Sequence, residues 1–217
     1  MARLLICDLD GTLLDTLEDL GDSMNDALSS LGFPRHPLAA YRAMIGDGAH
    51  MLAARAAPAW QRDATAIDAL YEAYLQAYAR RWHLKTRPYA GIPELLDACV
   101  AGGVKLAVFS NKADVFAQET VRHFLAGWGW AEIRGQRSDT PRKPAPDGAL
   151  AIAFALGVSP EECVFLGDSG VDMQCANAAG MTAIGARWGF RPAEELAAHG
   201  AHHLAASPAE VWDFLSA

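Results

Sequence analysis

Short runs of apolar residues recur along the chain, and several of them close on polar or acidic residues. Arg3 to Asp8 (RLLICD) is apolar until it ends in a carboxylate, and Leu106 to Phe109, Val164 to Leu166 and Thr182 to Ile184 share its length and character. Short apolar runs of this kind predict buried strands. Helical patterns separate them. Ile92 to Val100 carries Pro93 at an early position and is stopped by Gly102-Gly103, while Pro146 to Leu156 is closed by Gly157. Ser159-Pro160-Glu161-Glu162 and Ser207-Pro208-Ala209-Glu210 both match the capping box that marks helix starts. Strands alternating with helices predict an α/β fold, a Rossmann-like parallel-sheet core with helices on both faces.

The stretch from about Thr16 to Trp82 breaks this alternation, because only helical patterns are present there. Ile67, Leu70, Tyr71, Tyr74, Leu75 and Tyr78 fall on one helical face. An all-helical block directly after the first strand predicts an inserted cap. The expected organisation is a core of residues 1–14 and 87–217 carrying a helical cap over residues 15–86.

Composition narrows the function classes. The chain has 217 residues, 52% hydrophobic and 20% charged, which is the balance of an ordinary globular protein. Its net charge of −8 argues against nonspecific nucleic-acid binding, which needs a basic face. No apolar run approaches the roughly 18 residues of a membrane span, and Met1 to Ile6 is too short for a secretory signal. Cys7, Cys99, Cys163 and Cys175 show no CxxC or metal-type spacing, so buried thiols and a cytoplasmic location are expected. The seven histidines show no HExxH spacing, and Trp128 and Trp130 read as packing residues.

The strand ends carry the chemistry. The first ends Asp8-Leu9-Asp10-Gly11-Thr12, placing two carboxylates at i and i+2 where open parallel sheets bind ligands. Gly11 permits a sharp turn there. A lone DxD is also a common solvated acidic turn. The second ends Ser110-Asn111-Lys112, where a hydroxyl can donate to a phosphate oxygen; a helix cap is the competing reading. Lys143, beside Pro144 and Pro146, reads as an exposed lysine or as a fixed ammonium balancing an acidic site. The third ends Gly167-Asp168-Ser169-Gly170-Val171-Asp172, with Asp172 one helical turn beyond Asp168. Asp8, Asp10, Asp168 and Asp172 would bring four negative charges into one crevice. Hard oxygen ligands suit Mg²⁺, so Mg²⁺ and Lys143 together would offset that charge and admit an anionic substrate.

DLDGTLLDT, FSN, the Lys143 of RKPAPDGAL, and GDSGVD resemble the four motifs of the haloacid dehalogenase-type (HAD) superfamily. The likeness spans nearly the whole core, and the helical insert resembles that family's cap. Met44-Ile45-Gly46-Asp47-Gly48, Asn111-Lys112 and Lys143-Pro144-Ala145-Pro146 resemble its phosphoglycolate phosphatase-like branch. The resemblance implies a Mg²⁺-dependent phosphatase with Asp8 as nucleophile and Asp10 as general acid and base. It assigns the metal to the Asp8 carboxylate, the Asp10 carbonyl and Asp168, with Asp172 behind them. Ser110 and Lys143 would hold phosphate oxygens, and Gly11, Thr12, Gly46, Gly48 and Asn111 would help bind substrate. Asp47 would set a carboxylate against an acidic substrate unless it points away. The expected partner is a small phosphorylated metabolite, acted on by a monomer or homodimer.

Rival readings differ by residue. A dehalogenase would need neither Asp10 as acid nor Asp168. Phosphonate cleavage generally calls for a cap lysine, and residues 15–84 contain none. A phosphomutase of the β-phosphoglucomutase type shares both aspartates and Mg²⁺. A non-catalytic binding protein on the same fold would need no paired Asp8 and Asp10.

Overall fold

The computed structural model describes residues 2–216. The chain opens with β1 (Leu4–Cys7), then β2 (Leu14–Asp15), α1 (Leu17–Ser30), α2 (Tyr41–Met44), α3 (Ala49–Ala56), α4 (Ala64–Arg81) and β3 (Arg87–Pro88). It continues through α5 (Ile92–Ala101), β4 (Lys105–Ala113), α6 (Asp114–Phe124), β5 (Trp130–Gln136), α7 (Asp147–Ala155) and β6 (Cys163–Gly167). It ends with α8 (Gly170–Ala178), β7 (Thr182–Ala186), α9 (Ala193–Ala198), β8 (His203–Ala205) and α10 (Pro208–Ser216).

Six strands form one parallel sheet in the order β5-β4-β1-β6-β7-β8. Because side chains alternate along a strand, fully buried β1 feeds two cores at once. Leu5 and Cys7 pack with Leu95, Leu96, Val121 and Val211 of α5, α6 and α10. Leu4 and Ile6 face the opposite way, onto Ile152, Met173 and Leu196 of α7, α8 and α9. The two cores sandwich the sheet, and β1 runs between β4 and β6 at the point where strand order reverses. In open α/β sheets the crevice at such a switch point, beyond the strands' carboxyl ends, is where ligands bind.

The helices α1 to α4 form a separate apolar cluster, with Met24, Leu28, Tyr41, Leu52, Leu70, Tyr74 and Tyr78 buried in it. The aromatic stripe of α4 does face inward, although Tyr71 and Leu75 are only half-buried. Two chain crossings join these helices to the sheet, and they pair as an antiparallel ribbon: Leu14 opposite Pro88, Asp15 opposite Arg87. Asp19 in the first turn of α1 fastens the second crossing. Its buried carboxylate accepts from the Lys85 amide (2.9 Å), the Thr86 amide (2.8 Å) and the Thr86 hydroxyl (2.8 Å).

Two local features differ from the sequence reading, and a third decides between alternatives it left open. The Ser159 capping box forms, but it starts only a single 3₁₀ turn, Pro160–Glu162, because β6 begins at the next residue. Strand β4 runs on through Ser110, Asn111 and Lys112, so these residues are strand-end groups rather than a helix cap. Strand β5 is an edge strand of mixed polarity whose apolar signal is weak. Trp128 and Trp130 flank its start, donating through their indole nitrogens to Asp97 Oδ1 and the Leu125 carbonyl at 2.8 Å each.

Replacing Asp19 by Ala strands the buried Thr86 amide and hydroxyl and the part-buried Lys85 amide, and we expect a stability loss of about 1–3 kcal/mol. Urea unfolding of Asp19→Ala against the parent measures it; a midpoint unchanged within error would deny the carboxylate this role.

Candidate active site

The segment after β1 turns on itself because the amides of Thr12, Leu13 and Leu14 all reach back to the Leu9 carbonyl. Gly11 sits at φ +90°, and a Cβ there would lie 2.3 Å from Asp168 Oδ2. A Cβ on Gly189 would meet the Asp168 side chain at 2.2 Å from the other side. Glycine at both places lets the backbone close around Asp168. The buried Thr12 hydroxyl then donates to Asp168 Oδ1 (3.0 Å), and the Phe190 amide donates to Oδ2 (2.7 Å). Thr12 therefore supports Asp168 and stands away from the cavity lining.

Lys143 is buried under the carboxyl ends of the strands. Its ammonium donates to Asp8 Oδ1 (2.8 Å) and Asp172 Oδ1 (2.7 Å), and lies 5.7 and 5.6 Å from the ring centroids of Phe109 and Phe165. Asn111 holds this segment in place: its Oδ1 accepts from the Lys143 amide (2.9 Å) and its Nδ2 donates to the Lys143 carbonyl (3.2 Å). Asp172 is the third residue of α8, whose cap is Ser169. The Asp172 Oδ2 accepts from the Ser169 hydroxyl (2.6 Å) and amide (3.1 Å), so both its oxygens are engaged.

Electrostatics follow from this packing. Burial alone would push the Lys143 ammonium down, but Asp172 and Asp8 outweigh it and hold it above its ordinary value. Burial raises the Asp168 carboxyl well above the usual carboxylate range, and the charges of Asp172 and Asp8 add to the shift. Asp172 is also raised, by burial first, because it shares its ammonium with Asp8 and the pairing compensates it only in part.

Asp8 and Asp10 share a small cavity with Ser110, Asn111 and Lys112 of β4 and with Gly46 and Gly48 of the helical segment. Leu20, Leu52, Tyr74 and Phe116 give the rest of it an apolar lining. Lys112 enters this site with a part that sequence reading did not give it. Its ammonium donates to both Asp10 oxygens (2.9 and 3.1 Å) and to the Tyr78 hydroxyl (2.6 Å). No periodicity separates Tyr78 from the structural aromatics of its stripe; only the tertiary contact does. Asp47 is absent from the cavity lining, its carboxylate being paired with Arg55. Cys7, next to Asp8, is fully buried, and burial raises its thiol well above the ordinary range, so it stays neutral.

The donors fit a divalent cation. One carboxylate oxygen from each of Asp8, Asp168 and Asp172 lies within 4.8 Å of the others. Four carboxylates (Asp8, Asp10, Asp168, Asp172) face two ammonium groups (Lys112, Lys143), a formal 4 − 2, or two uncompensated negative charges. Buried oxygen donors with that excess suit a hard divalent ion.

Comparison with known proteins identifies the family. The family model described as haloacid dehalogenase-like hydrolase matches residues 5–186. A phosphoglycolate phosphatase of Xylella fastidiosa is 35% identical over 197 residues, covering 89% of this chain and 83% of that protein. Another, of Pseudomonas putida, is 34% identical over 221 residues, covering 100% of this chain and 78% of that protein. A crystal structure from Lactobacillus delbrueckii subsp. bulgaricus superposes with a TM-score of 0.93 at 29% identity, over 99% of each chain. With the family model spanning most of its length and the fold superposing over nearly the whole chain, the chain belongs to the haloacid dehalogenase-like hydrolase family.

Proposed function

We propose that the chain hydrolyses small phosphate monoesters through a phosphoaspartate formed on Asp8. The observation that carries this reading is the joint placement of Asp8 and Asp10 on one cavity, with Lys143 behind Asp8. Lys143 occupies Asp8 Oδ1, and Asp8 Oδ2 accepts no hydrogen bond among the described residues. That free oxygen is the attacking atom. It bonds to phosphorus as the ester P–O bond breaks, and Asp10 gives a proton to the departing alkoxide. Asp10 then takes a proton from water, whose oxygen attacks the phosphorus. The mixed anhydride breaks, phosphate leaves and Asp8 is restored. Ser110 and Lys143 hold the non-bridging oxygens, keeping the phosphoryl group in line.

Mg²⁺ held by the Asp8 and Asp168 carboxylates and the Asp10 carbonyl would screen the phosphate from the nucleophile's charge and stabilise charge in the transition state. Asp172 positions Lys143 from behind. Residues 15–86 act as a cap that closes over the leaving group and excludes water. Gly46 and Gly48, at φ +127° and +85°, line the cavity with backbone, while Asp47 between them turns to Arg55. This loop therefore sets no carboxylate against an acidic leaving group, and phosphoglycolate, the substrate in the relatives' names, is the first ester to try. Among the described residues no helix is long and apolar enough to cross a membrane, and the four cysteines are buried free thiols, which supports a reducing, cytoplasmic setting.

Phosphate release from a panel of small esters, phosphoglycolate included, tests the reading with Mg²⁺ and with excess EDTA. Mg²⁺-dependent release is expected; none from any ester would overturn it. Asp8→Asn is expected to lower turnover by at least about 10³-fold while the circular dichroism spectrum stays that of the parent. Activity within tenfold of the parent would remove Asp8 from the nucleophile's role.

Asp168 gives a test that does not depend on activity. A carboxyl raised in the folded state binds its proton more tightly there than in the unfolded chain. Its stabilising contribution is present at low pH and lost as pH rises through the raised value, so at neutral pH the charge costs stability. Asp168→Asn is therefore expected to melt higher than the metal-free parent and to lose the rise in Tm that Mg²⁺ gives the parent. Because the ion must displace a proton, that rise in the parent should shrink as pH falls, starting above the ordinary carboxylate range. Thermal melts with Mg²⁺ and with EDTA decide both points.

A further inference from the structure

A buried three-group contact joins the helical segment to the proposed general acid. Asp10 follows β1, Lys112 is the penultimate residue of β4, and Tyr78 comes from α4. The Lys112 ammonium stands between the other two, donating to both Asp10 oxygens and to the Tyr78 hydroxyl. Its side chain is only 5% exposed, and Asp10's is 13%. It also lies 4.8 Å from the Tyr78 ring centroid, so the aromatic face as well as the hydroxyl holds it.

Tyr78 is itself wedged. Its ring stacks on Tyr74 of the same helix at 5.5 Å and meets Phe116 of α6 edge-on at 5.0 Å. Burial, then the charges of Asp10 and Asp19, raise its phenol well above the ordinary range, so it remains a neutral hydroxyl that accepts from Lys112. Away from the β2–β3 ribbon, where Arg87 meets Asp15, the other side-chain hydrogen bonds across this junction among the described residues end on backbone carbonyls: Asn111 on Gly46, Arg142 on Asp47, Arg42 on Gly189, and Arg191 on Arg42 and Ile45. The Tyr78–Lys112–Asp10 contact instead ends on a side chain that reacts.

We propose that Tyr78 and Lys112 are positioning residues through which the seated cap sets the orientation of Asp10 toward the leaving-group oxygen. The inference rests on the phosphatase reading above, in which Asp10 protonates that oxygen. With the cap in place, Tyr78 fixes one N–H of Lys112 and thereby aims the ammonium at Asp10; when Asp10 carries the proton, Lys112 holds one of its oxygens and the O–H on the other faces the leaving group. With the cap lifted, Lys112 loses its hydroxyl and ring partner, and the Asp10 side chain is no longer held in one rotamer. Protonation of the leaving group is then available only over a substrate already enclosed.

The consequence is selective. An alkyl phosphate expels a basic alkoxide and depends on a well-placed proton donor; p-nitrophenyl phosphate expels a stable phenolate and does not. Tyr78→Phe keeps the ring, its packing and its face toward Lys112, and removes only the hydroxyl. We expect its kcat for an alkyl phosphate to fall roughly tenfold with KM within about twofold of the parent, since small misplacements of a catalytic group carry losses of this order. For p-nitrophenyl phosphate the fall should stay within about threefold. Lys112→Met should show the same selectivity with a larger loss on the alkyl ester. Arg142→Ala, which loosens the cap at Asp47 without touching Asp10, should lower both esters alike.

Equal losses on the two esters in Tyr78→Phe would overturn the proposal and leave the phosphatase reading standing. No loss on either ester in either variant would do the same. A parent inactive on every ester with Mg²⁺ would instead remove the phosphatase reading and this inference with it.

Discussion

Taking an ammonium and several carboxylates out of water under the edge of a parallel sheet is costly, and the arrangement around Lys143 shows how this fold meets that cost. An ion buried without compensation loses several kcal/mol of hydration, so charges survive there only in close, hydrogen-bonded sets. Lys143 satisfies Asp8 and Asp172 together and rests against two aromatic faces, while Ser169 takes the remaining oxygen of Asp172. Removing the ammonium would leave both carboxylates uncompensated, a loss of about 3–5 kcal/mol by comparison with other buried pairs. Three chain segments far apart in sequence are thereby tied to one atom, and Asn111 fixes the backbone from which it extends. The position of Asp8 relative to the sheet depends on that tie.

Much of this was legible in the sequence for a physical reason. A buried parallel strand is nearly all apolar, so the first polar residues after it must lie at its carboxyl edge, and Asp8, Ser110 and Asp168 each take that place. Four acidic residues converging there implied compensating cations, and Lys143 proved to be one of them. Lys112 was harder to see, because a lysine following Ser-Asn looks the same whether it is solvated or folded inward. Its direction is set by α4, more than thirty residues earlier in the chain.

Other features were illegible because their local pattern is ambiguous. Strand β5 alternates poorly, since it lies at the sheet edge and carries the partly exposed pair Glu132–Arg134. The Ser159 box has the right residues for a helix, yet only three residues separate it from β6, and sheet pairing prevails over the cap. Whether Asp47 confronts an acidic substrate was left open by the sequence. Its direction depends on Arg55, two turns along a helix that the sequence does not orient. In each case the deciding partner is tertiary.

The helical segment sits on the core through two kinds of contact, and the difference bears on how a closing cap would work. Exposed hydrogen bonds at the rim, such as Arg142 to the Asp47 carbonyl (2.9 Å), trade readily with water. Each contributes about 0.5–1.5 kcal/mol net, so breaking several to admit a substrate carries a modest cost. The buried contact of Lys112 with Tyr78 and Asp10 differs, because opening withdraws only the neutral Tyr78 hydroxyl while the ion pair of Lys112 with Asp10 stays on the core. A closure held mainly by exchangeable rim contacts, with one buried contact ending on the proposed acid, keeps opening inexpensive. It also makes the geometry at Asp10 sensitive to whether the cap is seated.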